Sequence, residues 1–131
     1  MELSALAGNA HVKAVLSQQE GGRGLSHAYI LSGPAGSGRH TLARLLCGAM
    51  LCTASSGERP CGRCAPCRKV SSGVHPDVTV ISGPGEGKPI TVDQVRALRD
   101  ESVYTPAAVR KRVYIVDEVH MLSTPAFNAL L

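Results

Sequence analysis

The hydrophobic positions fall into alternating blocks of helical and extended spacing. Residues 3–19 carry Leu3, Leu6, Val12, Val15 and Leu16 at intervals that place them on one helix face. Gly21-Gly22-Arg23-Gly24 breaks that pattern, and His27 to Ser32 then reads as a short buried strand. A glycine-rich turn, Gly33 to Gly38, leads into a second helical pattern through Leu42, Leu45, Leu46, Ala49 and Met50. Val78 to Ile81 predicts a second strand, and Ser82 to Pro89 a loop or hairpin tip. Val92, Val95 and Leu98 predict an amphipathic helix with Thr91 as its N-cap. Val113 to Val116 predicts a third strand, and Ser123-Thr124-Pro125 opens a last helix. Strands alternating with helices point to an α/β fold built on a parallel sheet. The last helix reaches Leu131 without a capping residue, so the natural chain is expected to continue.

Composition narrows this picture. At 131 residues, 44% of them hydrophobic, the chain is long enough for one domain with a core. With three Tyr, one Phe and no Trp, that core must rest on aliphatic side chains. The net charge of +4 is mild, and four metal-bound thiolates would reduce it further, so charge alone does not imply nucleic acid. No run approaches the ~20 apolar residues of a membrane helix, and Met1-Glu2-Leu3-Ser4 lacks the charged start of a signal peptide. A cytoplasmic protein is expected, in which five cysteines serve as metal ligands or free thiols rather than disulfides.

Three motifs carry chemistry. Gly33 to Thr41 (GPAGSGRHT) follows a strand pattern and opens a helix pattern, the context in which backbone N–H groups cradle phosphate oxygens. Its nucleotide-binding candidates are Gly33, Gly36, Ser37, Gly38, Arg39, His40 and Thr41. A working loop has lysine at position 39 and serine or threonine at position 40. Arg39 keeps the charge in a bulkier planar form, and His40 replaces the hydroxyl that would hold Mg²⁺ with an imidazole poorly suited to it. ATP with Mg²⁺ is therefore a doubtful cofactor here, and efficient hydrolysis is not expected. Val113 to Glu118 (VYIVDE) has the form of a Walker B strand, ending in the carboxylates Asp117 and Glu118. Two acids after a strand are commonly just a solvated turn; downstream of a phosphate loop they gain weight.

The third motif is cysteine. Cys52, Cys61, Cys64 and Cys67 have the spacing C-x8-C-x2-C-x2-C, suited to a closed structural Zn²⁺ site. Redox cysteines and an iron–sulfur cluster are the competing readings. Arg59, Arg63, Arg68 and Lys69 flank the site and would offset its thiolate charge. Cys47 reads as a core filler, and His75 as structural before Pro76. Arg96, Arg99 and the run Arg110-Lys111-Arg112 read as solvated faces.

These pieces resemble the bacterial DNA polymerase III clamp-loader family. The residues that carry the resemblance are HAYILSGPAGSGRHT (27–41), the cysteine set (52–67), HPDV (75–78), ITVDQVRALRD (90–100) and VYIVDEVHMLSTPAFNALL (113–131). The resemblance implies a P-loop NTPase (AAA+) domain over 1–131 with a zinc-binding insert at 52–67, and lid and collar domains beyond 131. It implies work with the other clamp-loader subunits, gamma/tau and delta, on a sliding clamp and primed DNA. Arg39, His40 and the opening LSALAGNAHVKAVLSQQ favour the delta-prime branch, a stator without ATPase turnover of its own, over the ATP-hydrolysing gamma/tau branch. Two rivals from other classes are a stand-alone P-loop enzyme and a zinc module that binds nucleic acid. The first would need lysine at 39 and a substrate lid, and the second exposed aromatic or basic residues around the cysteines, where the insert has bases but no aromatics.

Overall fold

The computed structural model describes residues 1–103 and 111–130; Arg110 and Leu131 lie outside that range. Its elements are helices α1 (Ala10–Gly21), α2 (Arg39–Leu51) and α3 (Ala65–Ser71), then strand β1 (Val78–Ile81) and helix α4 (Val92–Val103). Strand β2 (Val113–Val116), a 3₁₀ turn at Val119–Met121 and helix α5 (Thr124–Leu130) complete the chain. It divides into two compact units, Met1–His75 and Pro76–Leu131. Among the described residues, no helix is long and apolar enough to cross a membrane.

In the first unit, Leu16 of α1 and Leu42 and Leu46 of α2 close on Leu3 and Leu6. Leu42 and Leu46 stand four residues apart and so share a helix face. The N-terminal pattern is helical over only part of its expected length. Leu3 and Leu6 are buried but lie ahead of the helix, because Gly8 and Asn9 take left-handed backbone conformations (φ 65° and 55°) that interrupt it. α3 packs against α2. It is seven residues long, with Pro66 in its first turn, where a missing N–H costs nothing.

His27 to Ser32 alternates as a strand should. Tyr29 and Leu31 pack on the core, while Ile30 between them is 89% exposed. Yet it is assigned to no strand among the described residues, which corrects the expectation of a short strand there. Alternating burial alone does not make a strand; a ladder partner must supply the backbone hydrogen bonds.

In the second unit β1 and β2 form a two-stranded parallel sheet, with Val78 opposite Val113 and Ile81 opposite Val116. The ladder is extended at both ends, where Val113 N–H donates to the Asp77 carbonyl and Asp117 N–H to the Ile81 carbonyl, each at 2.8 Å. Parallel strands need a long crossover, and α4 lies within it. α4 starts on a reciprocal cap: Gln94 N–H donates to Thr91 Oγ1 (3.2 Å), and Thr91 N–H to Gln94 Oε1 (2.9 Å). Asp93 in the first turn suits the positive end of the helix dipole. α5 packs against α4, and Ala126 joins Ile90 and Val95 in a core on which Ile81 and Val116 also pack.

Candidate metal centre and phosphate loop

The four cysteines come together. Cys52 caps the end of α2, and Cys64 caps the start of α3, its sulfur accepting from Cys67 N–H at 3.5 Å. Cys61 lies between them, its sulfur accepting from Arg63 N–H (3.4 Å) and Cys64 N–H (3.3 Å). All four sulfurs lie within 4.8 Å of one another, and those of Cys52 and Cys64 are 4.0 Å apart. A tetrahedron with ~2.3 Å metal–sulfur bonds has edges of ~3.8 Å, so the set can close on one ion with little movement. The cysteines are not joined by disulfides.

Backbone N–H donors aimed at sulfur favour thiolates. Those of Arg63 and Cys64 hold the Cys61 thiol below its ordinary value. At Cys64, burial pulls upward, but hydrogen bonds from Thr53 and Cys67 prevail and bring the thiol down to about 6. Burial pushes Cys67 up to about 12, against a downward pull from the Gly62 backbone, and the neighbouring Cys64 and Cys52 add to the rise. Cys47 lies outside the group, buried on α2, and burial raises its thiol to about 11.

The cluster is fastened to α2 by a close approach. A Cβ on Gly48 would sit 3.0 Å from Pro60 Cβ, and the Cys67 thiol points at the Gly48 carbonyl (3.8 Å). Sequence reading passed over Gly48; a glycine inside an otherwise strong helix was the available signal.

The glycine-rich loop also takes shape. Gly36 and Gly38 have left-handed backbones (φ 77° and 89°), and α2 begins at Arg39 directly after Gly38. Ser37 N–H closes a turn on the Pro34 carbonyl (3.2 Å), and Leu42 N–H starts the helix ladder on Gly38 (2.9 Å). Packing reinforces conformation, since a Cβ at Gly38 would lie 2.7 Å from Leu6 Cδ1. Beside the loop is a cavity of about 500 Å³, with Leu6, Val12, Leu16 and Tyr29 among its apolar walls and Ser37, Gly38 and Arg39 at its polar side.

One of the loop's candidate residues has an unexpected setting. Ser37 Oγ is shielded from solvent, has no hydrogen-bond partner, and lies 2.8 Å from where a Gly33 Cβ would stand. The serine hydroxyl thus points across the loop onto Gly33. His40 occupies the second position of α2, where a Mg²⁺-holding loop carries its hydroxyl, and is exposed. Thr41 stands one residue further on, ~100° around the helix. The donor set therefore does not fit Mg²⁺.

The acidic pair belongs to the second unit. Asp117 accepts from Glu118 N–H at 3.0 Å, and Glu118, in a left-handed conformation (φ 50°), lies 3.3 Å from His120 Nε2. Both carboxylates line a cavity of about 350 Å³ with the Ser82–Lys88 loop.

The fold and site define a small α/β protein with a two-stranded parallel sheet and a four-cysteine group positioned to hold a metal ion. The match to known proteins covers nearly the whole chain. Residues 8–131 match the family described as DNA polymerase III, delta subunit, and the chain belongs to that family. It is 38% identical over 126 residues to "DNA polymerase III subunit tau" of Bacillus subtilis, covering 96% of this chain and 22% of that protein. It is 36% identical over 126 residues to "DNA polymerase III subunit gamma" of Buchnera aphidicola, covering 96% and 34%. The tau subunit of Escherichia coli is 38% identical over 126 residues, covering 96% and 19%. The chain thus spans 19% to 34% of the length of these relatives.

Proposed function

We propose that this chain is the N-terminal AAA+ domain of a clamp-loader subunit of the delta-prime kind. It serves DNA replication in the cytoplasm as a structural member of the loader and does not turn over ATP by itself. The observation that carries the reading is the pair Arg39 and His40 at the start of α2. Phosphoryl transfer rests on positioning and charge, and this pair removes two supports of one transition state, the lysine and the metal-holding hydroxyl. A combined loss of about 10³-fold or more in rate follows from typical costs of such groups. Asp117 and Glu118 keep the Walker B form, and the loop Gly33, Gly36, Ser37, Gly38, Arg39, His40 and Thr41 keeps the cradle without the motor.

In this reading residues 52–67 form a structural zinc insert, with lid and collar domains following position 131. Cys52, Cys61, Cys64 and Cys67 hold one Zn²⁺, supported by their spacing and by the sulfur separations. The working partners are gamma/tau and delta subunits, through them the sliding clamp, and primed DNA.

The relatives' names favour a second reading, an ATP-hydrolysing gamma/tau subunit. Turnover by the full-length subunit, assayed alone and with its partners, decides between them. No turnover alone, with the complex indifferent to Glu118→Gln here, supports the delta-prime reading. Steady turnover abolished by Glu118→Gln makes the chain a motor.

A further inference from the structure

The positive charge of this chain is concentrated in one segment. Residues 52–75 hold four Lys and Arg against one acid, Glu58, while the other 107 residues hold ten against nine, so three of the four net charges lie around the cysteines. Offsetting the thiolates does not account for where these cations stand. The sulfurs of Cys61 and Cys64 accept from the backbone N–H groups of Arg63, Cys64 and Cys67, and among the described residues from no guanidinium or ammonium. Arg59 is spent on the insert's own turn, its guanidinium donating to the Ala54 carbonyl at 2.8 Å. Arg63, Arg68 and Lys69 are exposed, and among the described residues their side chains make no hydrogen bond or ion pair. α3 buries Cys67 and Val70, which leaves Ala65, Arg68, Lys69 and the capping Ser72 on its outer face. Negative charge is thus gathered inside the insert and positive charge displayed outside it.

We infer that the cysteine insert is a docking surface for the phosphodiester backbone of nucleic acid, gripped through Arg63, Arg68 and Lys69. Free guanidinium groups suit phosphate oxygens, which they meet with paired N–H donors. Residues 52–75 contain no Phe, Tyr or Trp on which a base could stack, so the contacts are to phosphate and do not read sequence. An acidic protein segment fits less well, because the face between the cations of α3 carries only Ala65 and Ser72 and offers a peptide no large apolar anchor; Val74, which is exposed, follows the end of the helix. The cage and the cations are coupled. Cys64 caps α3 and Cys67 lies within it, and a helix of seven residues does not hold its shape alone, so a closed cage keeps Arg68 and Lys69 in place. The inference goes beyond the proposed function: it needs no nucleotide and holds for either branch of the family.

Fluorescence anisotropy of the full-length subunit with a labelled DNA duplex tests this. Replacing Arg63, Arg68 and Lys69 together by Gln should weaken binding by about tenfold in about 0.1 M salt. The slope of log affinity against log salt should fall by about 2.7 in that variant, at ~0.9 per phosphate contact. Circular dichroism and metal content equal to those of the parent show that the variant is folded. Replacing Lys13, Arg23 and Arg44 together by Gln removes the same charge elsewhere and should leave affinity within about twofold. Arg63→Lys with Arg68→Lys keeps the charge and should keep the slope. Two duplexes of unrelated sequence should bind within about twofold of each other. Equal losses in the two triple variants overturn the inference, as do an unchanged slope or absence of binding at about 0.1 mM protein. Displacement of the duplex by polyglutamate at matched charge makes the surface one for acidic protein segments and overturns it too. ATP turnover reads the choice of branch separately, so failure of one result leaves the other standing.

Discussion

Gly48 offers a sharp test of how the cysteine group is held. Replacing a mid-helix glycine by alanine ordinarily stabilises by about 1 kcal/mol, because the backbone gives up less freedom. At Gly48 the added methyl would lie 3.0 Å from Pro60 Cβ, a few tenths of an ångström inside ordinary contact. Overpacking of this kind costs about 1–3 kcal/mol, so Gly48→Ala should be neutral to destabilising by about 2 kcal/mol. Pro60 directly precedes Cys61, and relief of the contact must move that residue against Cys52 and Cys67. Gly48→Val, larger and β-branched, should destabilise by about 2–4 kcal/mol and weaken metal binding by about tenfold or more, as changes behind a ligand shell do. Thermal melts of the metal-loaded chain and competition with a chromogenic chelator read the two effects separately. A Tm raised by Gly48→Ala with chelator competition unchanged would refute the reasoning, since Pro60 would then not press on this helix.

Three further outcomes follow from the geometry. Purified, reduced protein should contain about one zinc per chain by elemental analysis, and Cys64→Ser or metal removal should lower Tm by loosening the insert. Cys47, its thiol raised to about 11 by burial, should be about a thousandth thiolate at pH 8. Iodoacetamide at that pH should leave Cys47 unmodified in folded protein and label it after unfolding; labelling at the rate of an exposed thiol would contradict its burial. Thr91→Ala removes one half of the cap on α4 and should cost about 1 kcal/mol, read from the denaturation midpoint; no change would mean that the cap contributes nothing.

Local chemistry made much of this structure legible before any coordinates. The Thr91 cap, the strands Val78–Ile81 and Val113–Val116, and the start of a helix after Gly38 each depend on neighbours within a few residues. The cysteine group was readable because its spacing leaves few ways for short turns to place four sulfurs. The remainder depended on partners distant in sequence. Burial of Leu3 and Leu6 was foreseen, but not that Gly8 and Asn9 would interrupt the helix. The extended run His27–Ser32 has the right alternation, but a ladder is a property of two segments. Ser37 was a candidate from its place in the loop, but the shielding of its hydroxyl over Gly33 depends on the folded path of the loop.

α2 begins at the glycine-rich loop and runs to Cys52 of the four-cysteine group, 13 residues later. That is a rod of about 20 Å, and an α-helix transmits displacement along its axis without shortening. A push on Arg39 at one end must therefore arrive at Cys52 as a tug on the sulfur cage. The cage in turn clamps the rod's far end and limits how far the loop can tilt. A fluorophore on the exposed Arg63 side of the cage should thus register filling of the loop by a polyphosphate, and its response should vanish once the metal is stripped and the clamp is released.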